Sequence, residues 1–223
     1  MMVMAMASLT SNPYKHADKV LATLRKQVDS LFHNMVNRIR FDELNVIRAQ
    51  SDTDELYQKL EALNENAFDD VARKAYAEAE QEAVEAGYDV EEGADKAHSI
   101  VTMIMASFNS ITRYVYNNEV ERKRSRAFEA LVAATSRLIL RDGAIRAARL
   151  WFDMSRQYVD MTVDAARTQA FIDSGVEQVR WVTMKDGKVC AACHERDGEI
   201  YDIHHLPDKH HRCRCHYIPV RKD

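Results

Sequence analysis

Proline and glycine are scarce in most of this 223-residue chain. No proline occurs between Pro13 and Pro207, and only three glycines precede Gly175. Because these residues interrupt helices and build the turns of β-rich folds, their scarcity argues against a strand-and-turn architecture before Gly175. Apolar residues recur there at the helical spacing, and Asn12 and Pro13 form a helix-start signal. The sequence therefore predicts a mostly α fold, with a long-helix N-terminal body at residues 1–175.

Long apolar segments are also absent from the sequence. No run approaches the roughly 18–20 residues that a membrane-spanning helix requires. The first residues are apolar only briefly and no basic residue precedes them, so we expect no signal peptide. Hydrophobic residues make up 46% of the chain and charged residues 30%, which is typical of a folded globular protein. We therefore expect a protein made in a reducing cytoplasm, with no membrane partner.

Charge is distributed unevenly although the net charge is only −4. Residues 41–95 carry seventeen acidic and four basic side chains, a balance of −13, whereas residues 113–150 carry nine basic and four acidic ones, a balance of +5. The last twenty residues contain five basic and two acidic side chains. Such asymmetry indicates an oriented assembly or a face that meets a polyanion; two solvated helix faces that partly neutralise each other are the alternative.

Three glycines are expected to divide the helical region. Gly87 and Gly175 are placed to end helices, because glycine accepts the left-handed conformation of a helix C-cap. The Arg-Asp-Gly sequence that ends at Gly143 is expected to interrupt a long helical stretch that begins near Ala94. The predicted body thus consists of several long helices with few breaks.

The pattern changes after Gly175, where β-branched and aromatic residues alternate with polar ones. Three short strands are predicted, at residues 176–184, 199–203 and 215–220. Asp-Gly pairs predict tight turns at residues 185–188 and 196–199. The resulting β-hairpin or ribbon module, residues 176–223, is too small to be held together by apolar burial alone, so a staple is expected.

All four cysteines of the chain lie in this module. Cys190 and Cys193 form a Cys-x2-Cys pair, and Cys213 and Cys215 follow after nineteen intervening residues, with His210 just upstream. A Cys-x2-Cys pair at a turn can direct both sulfurs at one point, and a second pair about twenty residues later is typical of zinc ribbons. Thiolate and imidazole both suit Zn²⁺. We predict a structural zinc ion held by Cys190 and Cys193 and by two of His210, Cys213 and Cys215.

Disulfide or redox chemistry and nucleophilic catalysis are the alternatives for the four cysteines. Two disulfides suit the number but not a reducing cytoplasm. A Cys–His nucleophile would leave three thiols without a role. Two neighbours of the cysteines also receive predicted roles. Trp181 is expected to be the main apolar residue of the module, and Arg214, which alternates with Cys213 and Cys215, is expected to point towards a carboxylate or a helix end.

The C-terminal residues resemble a known family. The matching positions are, in chain order, Arg167, Thr168, Gly175, Trp181, Thr183, Asp186, Cys190, Cys193, Gly198, Pro207, His210, Cys213, Arg214, Cys215 and Pro219. Together they resemble the C-terminal domain of the Mu F-like minor head proteins, also called phage head morphogenesis proteins. The resemblance covers about the last 60 residues, and the sequence departs from the family pattern at His211, where a proline is usual.

The resemblance implies a minor structural component of a tailed-phage head that acts in head morphogenesis, with a role in genome ejection left open. Its expected partners are the portal protein and the major capsid protein, and the basic segments could also contact packaged DNA. Several copies are expected in a ring or on the portal. The expected location is the virion, in the head interior or at the portal vertex, after synthesis in the host cytoplasm.

Two other classes of function remain open. A zinc-ribbon adaptor could bind nucleic acid through the basic tail and the helix around Arg122–Arg126, because phosphate contacts favour clustered Lys and Arg. A nuclease could use a histidine of residues 204–211 to activate water. The sequence contains no nucleotide-binding loop, nucleophile elbow or plausibly spaced carboxylate pair, so we expect a protein that is not an enzyme.

Overall fold

A computed structural model describes residues 12–42, 45–90, 96–130, 133–184 and 189–222. In chain order they form α1 (Lys15–Arg38), α2 (Val46–Glu85), α3 (Lys96–Tyr116), α4 (Arg122–Glu129), α5 (Ala133–Asp173), β1 (Gln178–Val182), α6 (Ala191–Glu195), β2 (Ile200–Asp202) and β3 (His216–Pro219). A π-helical turn, Asn117–Glu121, joins α3 to α4. The predicted mostly α fold with a small C-terminal β module is confirmed, whereas the turn predicted at 185–188 lies outside the described residues.

The predicted helix ends at Asn12, Gly87 and Gly175 are confirmed. The side-chain oxygen of Asn12 accepts the backbone N–H of Tyr14 at 2.9 Å, as an N-cap does. Gly87 and Gly175 have φ values of 96° and 71°, the left-handed conformation of a C-cap glycine. After Gly175, the N–H of Val176 donates to the carbonyl oxygen of Phe171 at 2.9 Å, which completes the capping motif.

The predicted interruption at Gly143 is wrong, because α5 runs through this residue without a break. A Cβ atom at this position would overlap the carbonyl oxygen of Glu119 in the π-helical turn and lie 2.8 Å from Cγ of Lys123. Glycine is therefore required at residue 143 for a close approach between two helical segments, not for a turn. The break falls instead at Ala130, whose backbone is extended (φ −73°, ψ 130°) after the end of α4.

The chain divides into two compact units that are each assembled from separate segments. Unit 1 comprises the described parts of Met1–Lys19, Phe68–Val101 and Val159–Asp223, and unit 2 comprises those of Val20–Ala67 and Thr102–Tyr158. The β module predicted at residues 176–223 falls in unit 1 together with helical segments. The division into a helical body at residues 1–175 and an independent β domain at residues 176–223 stays a prediction.

Aromatic residues form the centre of unit 2. Trp151 is fully buried, and its ring meets those of Tyr57, Phe108 and Tyr116 edge-on, with centroid distances of 5.7, 5.7 and 6.4 Å. Such edge-on pairs stabilise a core beyond the effect of apolar burial. The helices of both units place buried and exposed residues on opposite faces, as amphipathic helices do. None of the described helices has the length and apolar character needed to cross a membrane.

The three strands of unit 1 form one antiparallel sheet with the order β2-β1-β3. In β1, Val179 and Trp181 are buried while their neighbours are more exposed, which confirms the predicted alternation. Val179 pairs with Tyr201 of β2, and Trp181 pairs with Tyr217 of β3. The central strand therefore carries the apolar core of the sheet.

Candidate metal centre

Cys190 and Cys193 are brought together by the first turn of α6. Cys190 is the N-cap residue of this short helix, and its Sγ accepts the backbone N–H of Cys193 at 3.4 Å. Side chains three residues apart lie on the same face of a helical turn, so both sulfurs point to one side. The Cys-x2-Cys spacing thus produces the convergent pair that the sequence predicts.

His210 lies directly opposite this pair. Its Nε2 is 3.3 Å from Sγ of Cys190 and 3.2 Å from Sγ of Cys193. Its Nδ1 lies 3.0 Å from the carbonyl oxygen of His211, which can only accept, so Nδ1 carries the proton and Nε2 is left as the electron-pair donor. A histidine that ligates a metal is commonly oriented in this way.

A tight turn returns the chain from His210 to Cys213. Arg212 has a φ of 60°, and the N–H of Cys213 donates to the carbonyl oxygen of His210 at 3.0 Å. A left-handed conformation is uncommon at a residue other than glycine, and it allows the chain to reverse within this tight turn. The turn places Sγ of Cys213 at 3.6 Å from Sγ of Cys193.

The five predicted donors form two overlapping triads that share Cys193. Cys190, Cys193 and His210 form one triad, and Cys193, Cys213 and Cys215 form the other, with the donor atoms of each within 4.8 Å of one another. All four cysteines are free thiols. In a tetrahedral thiolate site with metal–sulfur bonds of about 2.3 Å, ligand sulfurs lie about 3.8 Å apart, close to the Cys193–Cys213 distance. The cluster could hold a metal ion, and it contains one donor more than a tetrahedron uses.

The thiols of the cluster differ in acidity. A hydrogen bond from Cys215 lowers the pKa of Cys213 to about 5, whereas burial raises the pKa of Cys193 to about 12. The N–H of Cys193 lowers the pKa of Cys190, and the hydrogen bond to His211 raises that of His210. Protons and a metal ion compete for the same donor atoms, so metal binding here would release protons.

The predictions for Trp181 and Arg214 are confirmed. Trp181 is fully buried, with its ring 5.3 Å from that of Tyr217, and Arg196 lies over its face at 5.4 Å. Nη2 of Arg214 lies 3.0 Å from the carboxylate of Asp18. The side chain between the two cysteines is therefore anchored on a carboxylate of α1, as predicted, although residues 213–215 precede β3 and are not part of a strand.

Several residues that support the centre carry no signal in the sequence. The hydroxyl of Tyr14 donates to Asp164 at 2.6 Å and lies 3.3 Å from the carbonyl oxygen of Cys215. Lys209 binds the same carboxylate at 2.7 Å. These contacts join residues as far as 201 positions apart in the chain, and no local spacing could have indicated them.

The remaining histidines of the module lie outside both triads. A lone histidine is more often a surface residue than a ligand or a base; His194, His204 and His205 are exposed, as is His211. His216 departs from this tendency: this side chain is buried, and burial lowers its pKa to about 3. It is therefore a neutral core residue at neutral pH.

Comparisons of the chain with known protein families, with curated proteins and with solved structures found no match.

Proposed function

We propose that the Cys/His cluster is a structural zinc site. Thiolates and imidazole are the donors that structural zinc sites use, and five donors leave no coordination position for water. Three of them, Cys193, Cys213 and Cys215, are buried, as in a site that stabilises a fold. Cys193 belongs to both triads, so every four-donor set that contains a complete triad includes it.

The site can be tested by elemental analysis of the reduced, purified chain. We expect one zinc ion per chain, and its loss in Cys193→Ser. His194→Ala is the matched control, because this exposed neighbour lies in neither triad and its replacement should keep the metal. Comparison of His210→Ala, Cys213→Ser and Cys215→Ser then identifies which two of these three donors complete the site. Wild-type protein that contains no stoichiometric metal would refute the proposal.

We further propose that the protein is a minor head protein of a tailed bacteriophage that acts structurally at the portal or the inner capsid wall. The observation that carries this proposal is the ordered set of motif residues from Arg167 to Pro219. It is supported by the roles of these residues within unit 1: Arg167 bonds to β3, Gly175 ends α5, and Trp181 fills the sheet.

A nucleic-acid-binding role has weaker support. In the basic segment at α4, Arg124 is 8% exposed and its Nη2 lies 2.7 Å from a carboxylate oxygen of Glu121, while Lys123 lies 3.4 Å from Asp142. These cations are engaged within unit 2, which leaves fewer of them for phosphate. We therefore favour a structural role in the virion over nucleic-acid binding, because the structural role does not require these basic side chains to contact phosphate.

The virion assignment is tested with phage particles and with isolated components. We expect mass spectrometry of purified heads to detect the chain in a few copies per particle, and the purified chain to co-sediment with the portal protein of the same phage. Absence from both procapsids and mature heads would refute the assignment. Metal-dependent or histidine-dependent cleavage of DNA by the purified chain would favour the nuclease instead.

A further inference from the structure

Unit 2 contains a groove of about 1000 Å³ between α1 and α5, which we call the α1–α5 groove. Phe32, Val36 and Ala144 line it and are buried, while Leu138 and Ile145 line it and are 63% and 53% exposed. Leu138 and Ile145 are seven residues apart, so they lie on the same face of α5. The groove thus combines an apolar lining with two large apolar side chains that face solvent.

Three arginines lie along the same groove. Arg40, Arg137 and Arg141 are exposed, and within the described residues none of them has an ion-pair or hydrogen-bond partner. Among the described residues that line the groove, Asp29 is the only carboxylate. Unpaired guanidinium groups beside exposed leucine and isoleucine side chains complement a surface in which carboxylates border an apolar stripe.

The length of the groove suits a helix. The lining residues extend from Asp29 to Asn37 on α1, continue to Arg40 and Phe41 just beyond its end, and extend from Arg137 to Ala148 on α5. Eleven steps of a helix span about 16 Å, or three turns, which is the length over which an amphipathic helix presents anchors at i, i+3 or i+4, and i+7. Nucleic acid would pair with the arginines but would leave Leu138 and Ile145 uncovered.

We propose that the α1–α5 groove binds an amphipathic helix of a partner protein, with glutamate or aspartate residues on both sides of its apolar face. The apolar face covers Leu138 and Ile145, and the flanking carboxylates pair with Arg40, Arg137 and Arg141. This inference does not rest on the proposed virion role or on the metal centre, because the groove is formed by unit 2 alone.

The test uses a fluorescein-labelled model peptide of about 20 residues, with leucines along one helical face and glutamates beside them. Binding to the full chain is followed by fluorescence anisotropy. We expect Leu138→Glu and Ile145→Glu each to weaken binding by about tenfold or more, because each removes a buried apolar contact. The matched control is Ile111→Glu, since Ile111 is 45% exposed on α3 of the same unit but does not line the groove.

Charge provides a second readout. The same peptide with lysines in place of the glutamates should bind about tenfold more weakly at low salt, and the difference should shrink as ionic strength rises. Arg141→Glu should weaken binding of the glutamate peptide, whereas Arg149→Glu, an exposed arginine on α5 outside the groove, should not. Circular dichroism of every variant establishes that the helices are retained.

Three results would overturn the proposal. The first is the absence of binding at glutamate-peptide concentrations up to about 1 mM. A dissociation constant of about 1 mM marks the weakest specific complexes. The second is equal binding by Leu138→Glu, Ile145→Glu and Ile111→Glu. The third is self-association of the wild-type chain in sedimentation velocity that Leu138→Glu abolishes, which would assign the groove to a second copy of this chain.

Discussion

Replacement of Arg167 by methionine tests how unit 1 is held together. Arg167 is 3% exposed, and its Nη2 lies 2.6 Å from the carboxylate of Glu82 on α2 and 3.2 Å from the carbonyl oxygen of Tyr217 on β3. One guanidinium group therefore connects α5 with another helix and with the sheet. Methionine keeps much of the side-chain volume but leaves the Glu82 carboxylate buried without a counter-charge.

The expected cost is large because the pair is buried. Loss of one member of a buried ion pair costs about 3–5 kcal/mol, and the lost hydrogen bond to Tyr217 adds about 1 kcal/mol. Replacement of both partners removes the uncompensated charge, so Arg167→Met combined with Glu82→Gln should recover about 2 kcal/mol or more. We therefore predict a double variant that is more stable than the Arg167→Met single variant.

The loss should also depend on pH. Burial raises the pKa of Glu82 above its ordinary value of 4.5, and Arg167 opposes this rise. A carboxyl whose pKa is raised on folding stabilises the fold below the ordinary pKa, and this contribution disappears as pH rises through the folded-state pKa. Removal of Arg167 moves the folded-state pKa higher still. The stability deficit of Arg167→Met should therefore be smaller at about pH 5 than at about pH 7.

Urea unfolding followed by tryptophan fluorescence provides the measurement. Trp181 lies in unit 1 and Trp151 in unit 2, so a Trp151→Phe background leaves Trp181 as the reporter. A loss below about 1 kcal/mol for Arg167→Met at neutral pH would contradict a buried, stabilising pair. A double variant no more stable than the single one would show that the uncompensated Glu82 charge is not the cause of the loss.

Three further predictions concern other parts of the chain. Gly143→Ala should destabilise unit 2 by about 1–3 kcal/mol despite the better helix propensity of alanine, because its Cβ would overlap the Glu119 carbonyl oxygen; an unchanged melting temperature would contradict this. Removal of metal with a chelator should lower the urea midpoint reported by Trp181, and an unchanged midpoint would argue against a structural metal. Arg214→Gln should cost only about 0.5–1 kcal/mol in thermal unfolding, since this arginine is partly exposed, and a loss above about 2 kcal/mol would show a larger role.

Local signals in the sequence predicted the helices, the strands and most helix ends. Gly87 and Gly175 were identifiable because a C-cap depends on the conformation of a single residue. Gly143 was not, because its role depends on the approach of a distant backbone, Glu119, which no local pattern contains. The break at Ala130 has neither glycine nor proline to mark it. Sequence patterns therefore located the elements well, but they misassigned Gly143, whose role is tertiary, and missed the break at Ala130.

The candidate metal centre was predictable for the same reason. Its donors are close in sequence, and Cys-x2-Cys on one helical turn fixes their convergence almost without reference to the rest of the fold. The choice of two ligands among His210, Cys213 and Cys215 was not predictable, because all three donors approach Cys193. The supporting residues Tyr14 and Asp164 were equally hidden, because Tyr14, just before α1, reaches the centre only where it packs against Asp164 of α5.

The contacts and the burial of the residues around the cysteines indicate what a metal ion would do in unit 1. β3 and the residues after it are held by contacts that involve no cysteine. Arg167 donates to the carbonyl oxygen of Tyr217, and the hydroxyl of Tyr88 donates to the carbonyl oxygen of Val220 at 3.1 Å. The N–H of Lys222 donates to the carbonyl oxygen of Ala86 at 3.0 Å.

The segment before β3 has little apolar support, although Lys209 and Arg214 pair with carboxylates of α5 and α1. Between residues 189 and 215, a stretch that the structure describes completely, Ile203 is the only buried hydrophobic residue besides three cysteines. A segment of this length with so little apolar burial cannot hold one conformation by packing alone. Metal coordination would supply the missing stability through the same cysteines that occupy its interior. We therefore expect metal loss to release α6 and the loop that contains His210, while β3 stays attached to α2 and α5.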